Sequence, residues 1–246
     1  MQYHLDTIPV WEVMESHADC PLCALFQKAE QTEIERSLGG SVMEPDSRIR
    51  VNERGICQHH HQQLFMQKNR LGHALLTDSH TKELLKKLDK LPAVAGSGMR
   101  SLFAKETDSP ATKLAQELEK LTQTCVLCEG IETHMARYLY TFLHLWKNEP
   151  KFKAAWNESK GVCVPHAAAL LRHAGKHLSA AQQKDFSASV LTLLKAALSE
   201  NEKDLEWFTL KFDYRNQDKP WGNSKNALEK TINRLRGRCI GDNAAE

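Results

Sequence analysis

Long apolar runs are missing from this chain of 246 residues, and with them the roughly 18 or more successive apolar residues that a membrane-spanning helix needs. The greasiest stretch, YLYTFLHLW at 138–146, is broken by polar residues within a helical pattern. An excess of one charge is missing too. Lys and Arg number 33 against 31 Asp and Glu, a balance too even to argue for nucleic acid or a lipid surface. No segment alternates in the period of two with β-branched residues, so no sheet is expected. MQYHLDTIPVWEVMESHADC lacks the basic leader and apolar core of a signal peptide. Nucleophile elbow, phosphate loop and dinucleotide glycine motif are all absent, so no catalytic residue is assigned and nothing supports an enzyme.

These absences lead to the expectation of a cytoplasmic protein, in a compartment where stable disulfides are rare. A hydrophobic content of 41% and a charged content of 26% are those of an ordinary globular chain. Its length suits one large or two modest domains. Seven cysteines in such a setting read as metal ligands or redox thiols rather than as a disulfide framework.

Six of those cysteines fall into a repeat. CPLC at 20–23 and GICQHH at 55–60 are answered by CVLC at 125–128 and GVCVPH at 161–166. Cys20 and Cys23 map onto Cys125 and Cys128 at an offset of 105; Cys57 and His60 map onto Cys163 and His166 at 106. Glu44-Pro45 and Asn52-Glu53 recur as Glu149-Pro150 and Asn157-Glu158, still at 105. The one-residue insertion therefore lies between NE and the following glycine, and the chain is a tandem duplication.

Both copies read as helical. Ile131, Met135, Tyr138, Phe142 and Leu145 recur at three and four, on a helix that should stop near Asn148 before Pro150 opens another. Ala167–His177 forms a further helix. Ser179 with Gln182 resembles a capping box for a long one after it, and Ser109-Pro110 is an N-cap with Pro at the first position. In the first copy, 24–38 and 80–91 are the counterparts. The expectation is an all-α fold with about four helices per copy: residues 1–91 and 111–212 as the two repeats, 92–110 as a Gly, Ser and Pro-rich linker, and 213–246 as a basic tail.

Three sulfurs and one imidazole per copy, as CxxC-x33-CxxH and CxxC-x34-CxxH, are the ligand set of a closed tetrahedral Cys3His site. A CxxH at a helix start puts both groups on one face, and the helix N-terminus favours thiolates. Gly55 and Gly161 let the chain turn tightly into that helix. The economical pairing stays within each copy: Cys20, Cys23, Cys57 and His60 in one site, Cys125, Cys128, Cys163 and His166 in the other. An exchange of half-sites between copies is the alternative. Zinc, two ions per chain, is the expected metal. An iron–sulfur cluster or metal-free redox dithiols are the rivals. A structural zinc contributes about 10–16 kcal/mol in finger peptides, comparable with the stability of a whole domain, about 5–15 kcal/mol.

The remaining candidates carry less. His59 and His61 flank the register-keeping His60, and are read as exposed or supporting. His73, His134, His144, His173 and His177 have no counterpart in the other copy and read as surface or packed residues; Cys239 reads as a bystander. No histidine follows the CxxC motifs at the spacing of helical peroxidases, and Gln27 stands four after Cys23. The tail at 211–238 holds eight Lys or Arg against three acidic residues. It reads as a solvated helix packed through Ala227, Ile232 and Leu235, after a loop anchored by Trp221. An unidentified protein partner is expected there rather than nucleic acid.

The doubled CPLC…CxxH and CVLC…CxxH pattern, with KFDYRNQDKPWG late in the chain, resembles a bacterial family of unknown function over residues 10–238. The resemblance implies a bacterial cytoplasmic protein and a ligand role for the paired Cys and His. Taken together, the sequence points to a metal-binding helical scaffold or adaptor, with a redox sensor or electron carrier as the other reading.

Overall fold

The computed structural model describes residues 6–91 and 109–241. Among them are eleven α-helices and no strand, which gives the all-α fold that the missing period-two pattern implies. The first copy holds α1 (Thr7–Glu15), α2 (Pro21–Leu38), α3 (Pro45–Arg54), α4 (Gln58–Met66) and α5 (Arg70–Leu88). The second holds α6 (Pro110–Lys120), α7 (Val126–Asn148), α8 (Pro150–Glu158), α9 (Val164–His177) and α10 (Ala180–Leu210), and α11 (Ala227–Arg236) follows. No helix among the described residues is long and apolar enough to cross a membrane.

The copies thus run to five helices each rather than four. The additional one precedes each CxxC: in the second copy it is α6, which opens at the Ser109-Pro110 cap that the sequence marks, and in the first it is α1. In α1 the sequence hides it with Pro9, which is harmless there because first-turn N–H groups have no intrahelical partner. Punctuation sets the other lengths. Gly39-Gly40 ends α2 and passes into a 3₁₀ turn at Gly40–Met43, whereas α7 carries on to Asn148 and stops before Pro150. The capping box at Ser179 and Gln182 opens α10, and the Ser109 side chain accepts from Thr112 N at the start of α6. The linker at 92–110 falls, apart from its last two residues, outside the described residues.

The chain divides into two compact units. One comprises residues up to Lys28 together with His134–Glu246; the other is Ala29–Thr133. The division falls inside α2 and α7, so each unit draws on both copies. The first unit's core is aromatic: Phe142 meets Phe152 and Trp156 edge-on with centroids 5.0 and 5.3 Å apart, and Trp11 closes on Phe152 at 5.1 Å. Trp156 satisfies its indole N–H on Ser189 Oγ at 3.0 Å. Burying each such ring stabilises the fold by about 1.5–3 kcal/mol. The second unit's core joins Ile34, Val51, Leu64 and Leu76 to the apolar part of the second CxxC, Val126 and Leu127.

The tail departs from expectation in one respect. On α11, Ala227 is buried, but Leu235 is 47% exposed and its neighbour Arg234 is buried instead. The loop before it closes on Lys211, whose ammonium donates to the carbonyls of Asn216, Gln217 and Lys219 at 2.6–2.7 Å. That nitrogen also stands 5.2 Å from the Trp221 ring centroid.

Candidate metal centres

Each of the four half-motifs sits at a helix start. Cys57 and Cys163 are the N-caps of α4 and α9. Cys20 and Cys125 stand directly before α2 and α7, their carbonyls accepting from Ala24 N and Glu129 N. The second member of each pair is then three residues into the helix, on the same face. The turn that delivers the CxxH depends on glycine. Gly55 ends α3 at φ 68° and ψ −169°, a region essentially closed to other residues, and Gly161 has φ 73°. A Cβ on Gly55 would lie 3.0 Å from the His80 ring, and one on Gly161 3.1 Å from Leu193.

The eight residues come together as two quartets, and the pairing within each copy is not the one found. Cys20 and Cys23 of the first copy meet Cys163 and His166 of the second, while Cys57 and His60 of the first meet Cys125 and Cys128 of the second. The half-sites are exchanged. The physical reason lies in the core: the CxxC of α7 packs Val126 and Leu127 into the cluster that contains Ile56 and Leu64 around the first CxxH. Val126 N also donates to Gly55 O at 3.1 Å, and Thr124 Oγ1 to Arg54 O at 2.7 Å. The first quartet lies wholly within the first unit, the second wholly within the other.

Within each quartet the ligand atoms lie within 4.8 Å of one another. In the first, His166 Nδ1 is 3.1, 3.3 and 3.5 Å from the sulfurs of Cys163, Cys23 and Cys20, and Cys23 is 3.7 Å from Cys163. In the second, His60 Nδ1 is 3.2, 3.4 and 3.4 Å from Cys57, Cys125 and Cys128, and Cys57 is 3.9 Å from Cys128. A tetrahedral ion with bonds of about 2.3 Å to sulfur and about 2.0–2.1 Å to nitrogen spaces sulfurs about 3.8 Å apart and sulfur from nitrogen about 3.5 Å. Both groups can hold one metal ion.

Without a metal these groups share protons. Burial opposes charge on Cys125, but hydrogen bonds from His60 and from the backbone N–H groups of Cys128, Cys57 and Leu127 prevail and bring its pKa down to about 6. Cys128, partly buried and beside that thiolate, is pushed up to about 12. Burial disfavours the His60 imidazolium, yet Cys125, Glu30 and the charge of Cys57 raise it to about 10. In the first quartet burial likewise works against charge, but hydrogen bonds from Cys163, Cys23 and His166 hold Cys20 well below the ordinary thiol range. Cys163 is driven far up by Cys20 and Cys23, and His166 rises to about 9 despite its burial, through its bonds to Cys20 and Cys23.

Beyond the ligands, the two quartets differ. Glu30 Oε1 lies 3.4 Å from His60 Nε2 and 2.8 Å from His59 Nε2. The His60 contact has an ion-pair distance without the alignment of a good hydrogen bond, and among the described residues Nε2 has no other partner. This carboxylate was not legible in the sequence, because the second copy carries Met135 at the matching position. The first quartet is backed differently: buried Arg234 donates from Nη1 to Asp19 O, one residue before Cys20, at 2.6 Å. His59 is exposed, and His61 Nδ1 pairs with His73 Nε2 at 2.8 Å, away from the ligand cluster. His134, His144, His173 and His177 join neither quartet. Cys239 is exposed and free.

No curated protein and no solved structure matches this chain significantly. The profile of one family, described as "Family of unknown function (DUF6062)", covers residues 1–242. With both Cys/His quartets in place and that profile spanning nearly its whole length, the chain belongs to the DUF6062 family of unknown function.

Proposed function

We propose that the protein is a zinc-binding helical scaffold or adaptor of the bacterial cytoplasm, with one structural zinc in each quartet. The observation that carries the reading is the pair of closed Cys3His sets, each with four protein ligands spaced for a single tetrahedral ion. A catalytic zinc keeps a position open for water or substrate. A cubane cluster distributes its ligands over separate irons, and so needs them further apart than 3.7–3.9 Å.

Two helix N-termini point at each quartet, and this suits the charge. Three thiolates, a neutral imidazole and Zn²⁺ sum to −1, which helix dipoles and free N–H groups stabilise. Glu30 fits the familiar carboxylate–histidine–zinc arrangement that fixes ring orientation and ligand basicity. The adaptor role draws on the tail, where Phe212 and Tyr214 are 72% and 79% exposed among basic residues. An apolar anchor with flanking cations suits an acidic protein partner.

Elemental analysis with an absorption spectrum of anaerobically purified protein tests the reading. Two zinc per chain in a colourless solution is the expected result. Iron with sulfide and visible absorption, or no metal, overturns it.

A further inference from the structure

The first unit contains a cavity of about 700 Å³ bounded on one side by Cys20 and Cys23. One metal ion needs only a fraction of that space. The volume falls in the range of small-molecule sites, about 300–1,000 Å³. Leu193 and Ala197 of α10 give it an apolar wall, while charged residues from α10, α11 and the segment before α2 converge on it.

Two of those charged groups have no counter-charge among the described residues. Arg234 is 94% buried, yet its guanidinium makes one hydrogen bond, Nη1 to Asp19 O, and no ion pair among the described residues. Four of its five donors are unused. Glu229, also on the cavity wall, has Oε2 buried with no donor in reach among the described residues. A buried charge without a counter-charge is costly, and native structures rarely keep one without a role. Of the other wall charges, Lys160 and Asp19 pair at 2.9 Å. Acidic and basic side chains line the cavity in equal number, so its field favours a ligand without net charge over a polyanion or polycation.

We propose that this cavity binds a small zwitterion, a free α-amino acid or a short peptide. Its carboxylate is held by the fork of Arg234 and its ammonium by Glu229. Arginine's planar donors match a carboxylate two at a time, and Glu229 supplies the acceptor an ammonium requires. The site is independent of the metal's identity: Cys20 and Cys23 form part of its wall, and their sulfurs remain committed to the quartet.

Titration calorimetry on the full-length, metal-loaded protein tests this, with the free amino acids and triglycine as probes and N-acetylglycine and acetate as controls. At least one probe is expected to bind with one-to-one stoichiometry. Arg234→Lys should weaken it at least tenfold. Glu229→Gln should weaken the zwitterion similarly while leaving N-acetylglycine unchanged, with zinc content and melting temperature as in the wild type. Because Arg234 also braces Asp19 and its variant can lose the fold, Glu229→Gln carries the test in that case. Absence of binding by every probe overturns the proposal. So does binding that the Glu229 variant leaves intact, or acetate binding as tightly as the zwitterion.

Discussion

Single residues divide into those the sequence marks twice and those it marks once. All eight cysteine and histidine members of the quartets were legible, because duplication preserved their types and their spacing together. Gly55 and Gly161 were legible for the same reason, and their backbone angles show why. Gly55→Ala should cost about 1–3 kcal/mol through its positive φ alone, with the His80 ring 3.0 Å from the new Cβ adding to it; thermal melting of the purified variant measures this. Glu30 and Arg234 were not legible, since neither has a counterpart in the other copy and a lone charged residue normally reads as surface. The asymmetry has a consequence. Glu30→Gln should weaken zinc at the His60 quartet by about 10–100-fold, the usual effect of losing a carboxylate behind a ligating histidine. The His166 quartet, where the repeat puts Met135 at the position matching Glu30, should keep its affinity. A competition titration with a chromogenic chelator would show one weakened ion and one unchanged, and equal loss at both sites would refute the assignment.

Helices were readable where their ends are punctuated. Asn148 before Pro150, Ser109-Pro110 and the Ser179–Gln182 box all lie where the expected boundaries put them. Removing the last, with Ser179→Ala, should lower stability by about 1 kcal/mol, seen as a shift in the urea midpoint. The beginning of α5 was missed by ten residues. Its cap is Asn69, whose side chain accepts from Gly72 N at 3.0 Å, and a glycine inside the first turn masks the helical pattern. At the helix starts that build the quartets, proton and metal compete. At neutral pH and without metal, His60 and Cys128, with pKa values near 10 and 12, retain protons. Zinc must displace them, so its apparent affinity should rise with pH and fall on acidification. Calorimetry in buffers of different ionisation enthalpy should register proton release on loading; no dependence on the buffer would contradict the protonation scheme.

The whole molecule holds the largest departure from the sequence reading, which is the exchange of half-sites. Spacing could not reveal it, because a loop of 33 or 34 residues and one that reaches the other copy both close at modest entropic difference. What decides is packing: the CxxC of one copy carries apolar residues that the CxxH region of the other copy buries. A lone copy therefore owns two half-sites and no complete one, and each compact unit needs both copies to close its quartet. Since a structural zinc is worth as much as a typical domain's stability, each ion should govern the folding of the unit that contains it. Zinc counting on two double variants tests the exchange most directly. Cys57→Ser with Cys125→Ser strikes a single quartet and should leave about one zinc per chain, whereas Cys57→Ser with Cys20→Ser strikes both and should leave about none. The reverse pattern would restore pairing within each copy, and a wild-type protein without zinc would contradict the account as a whole.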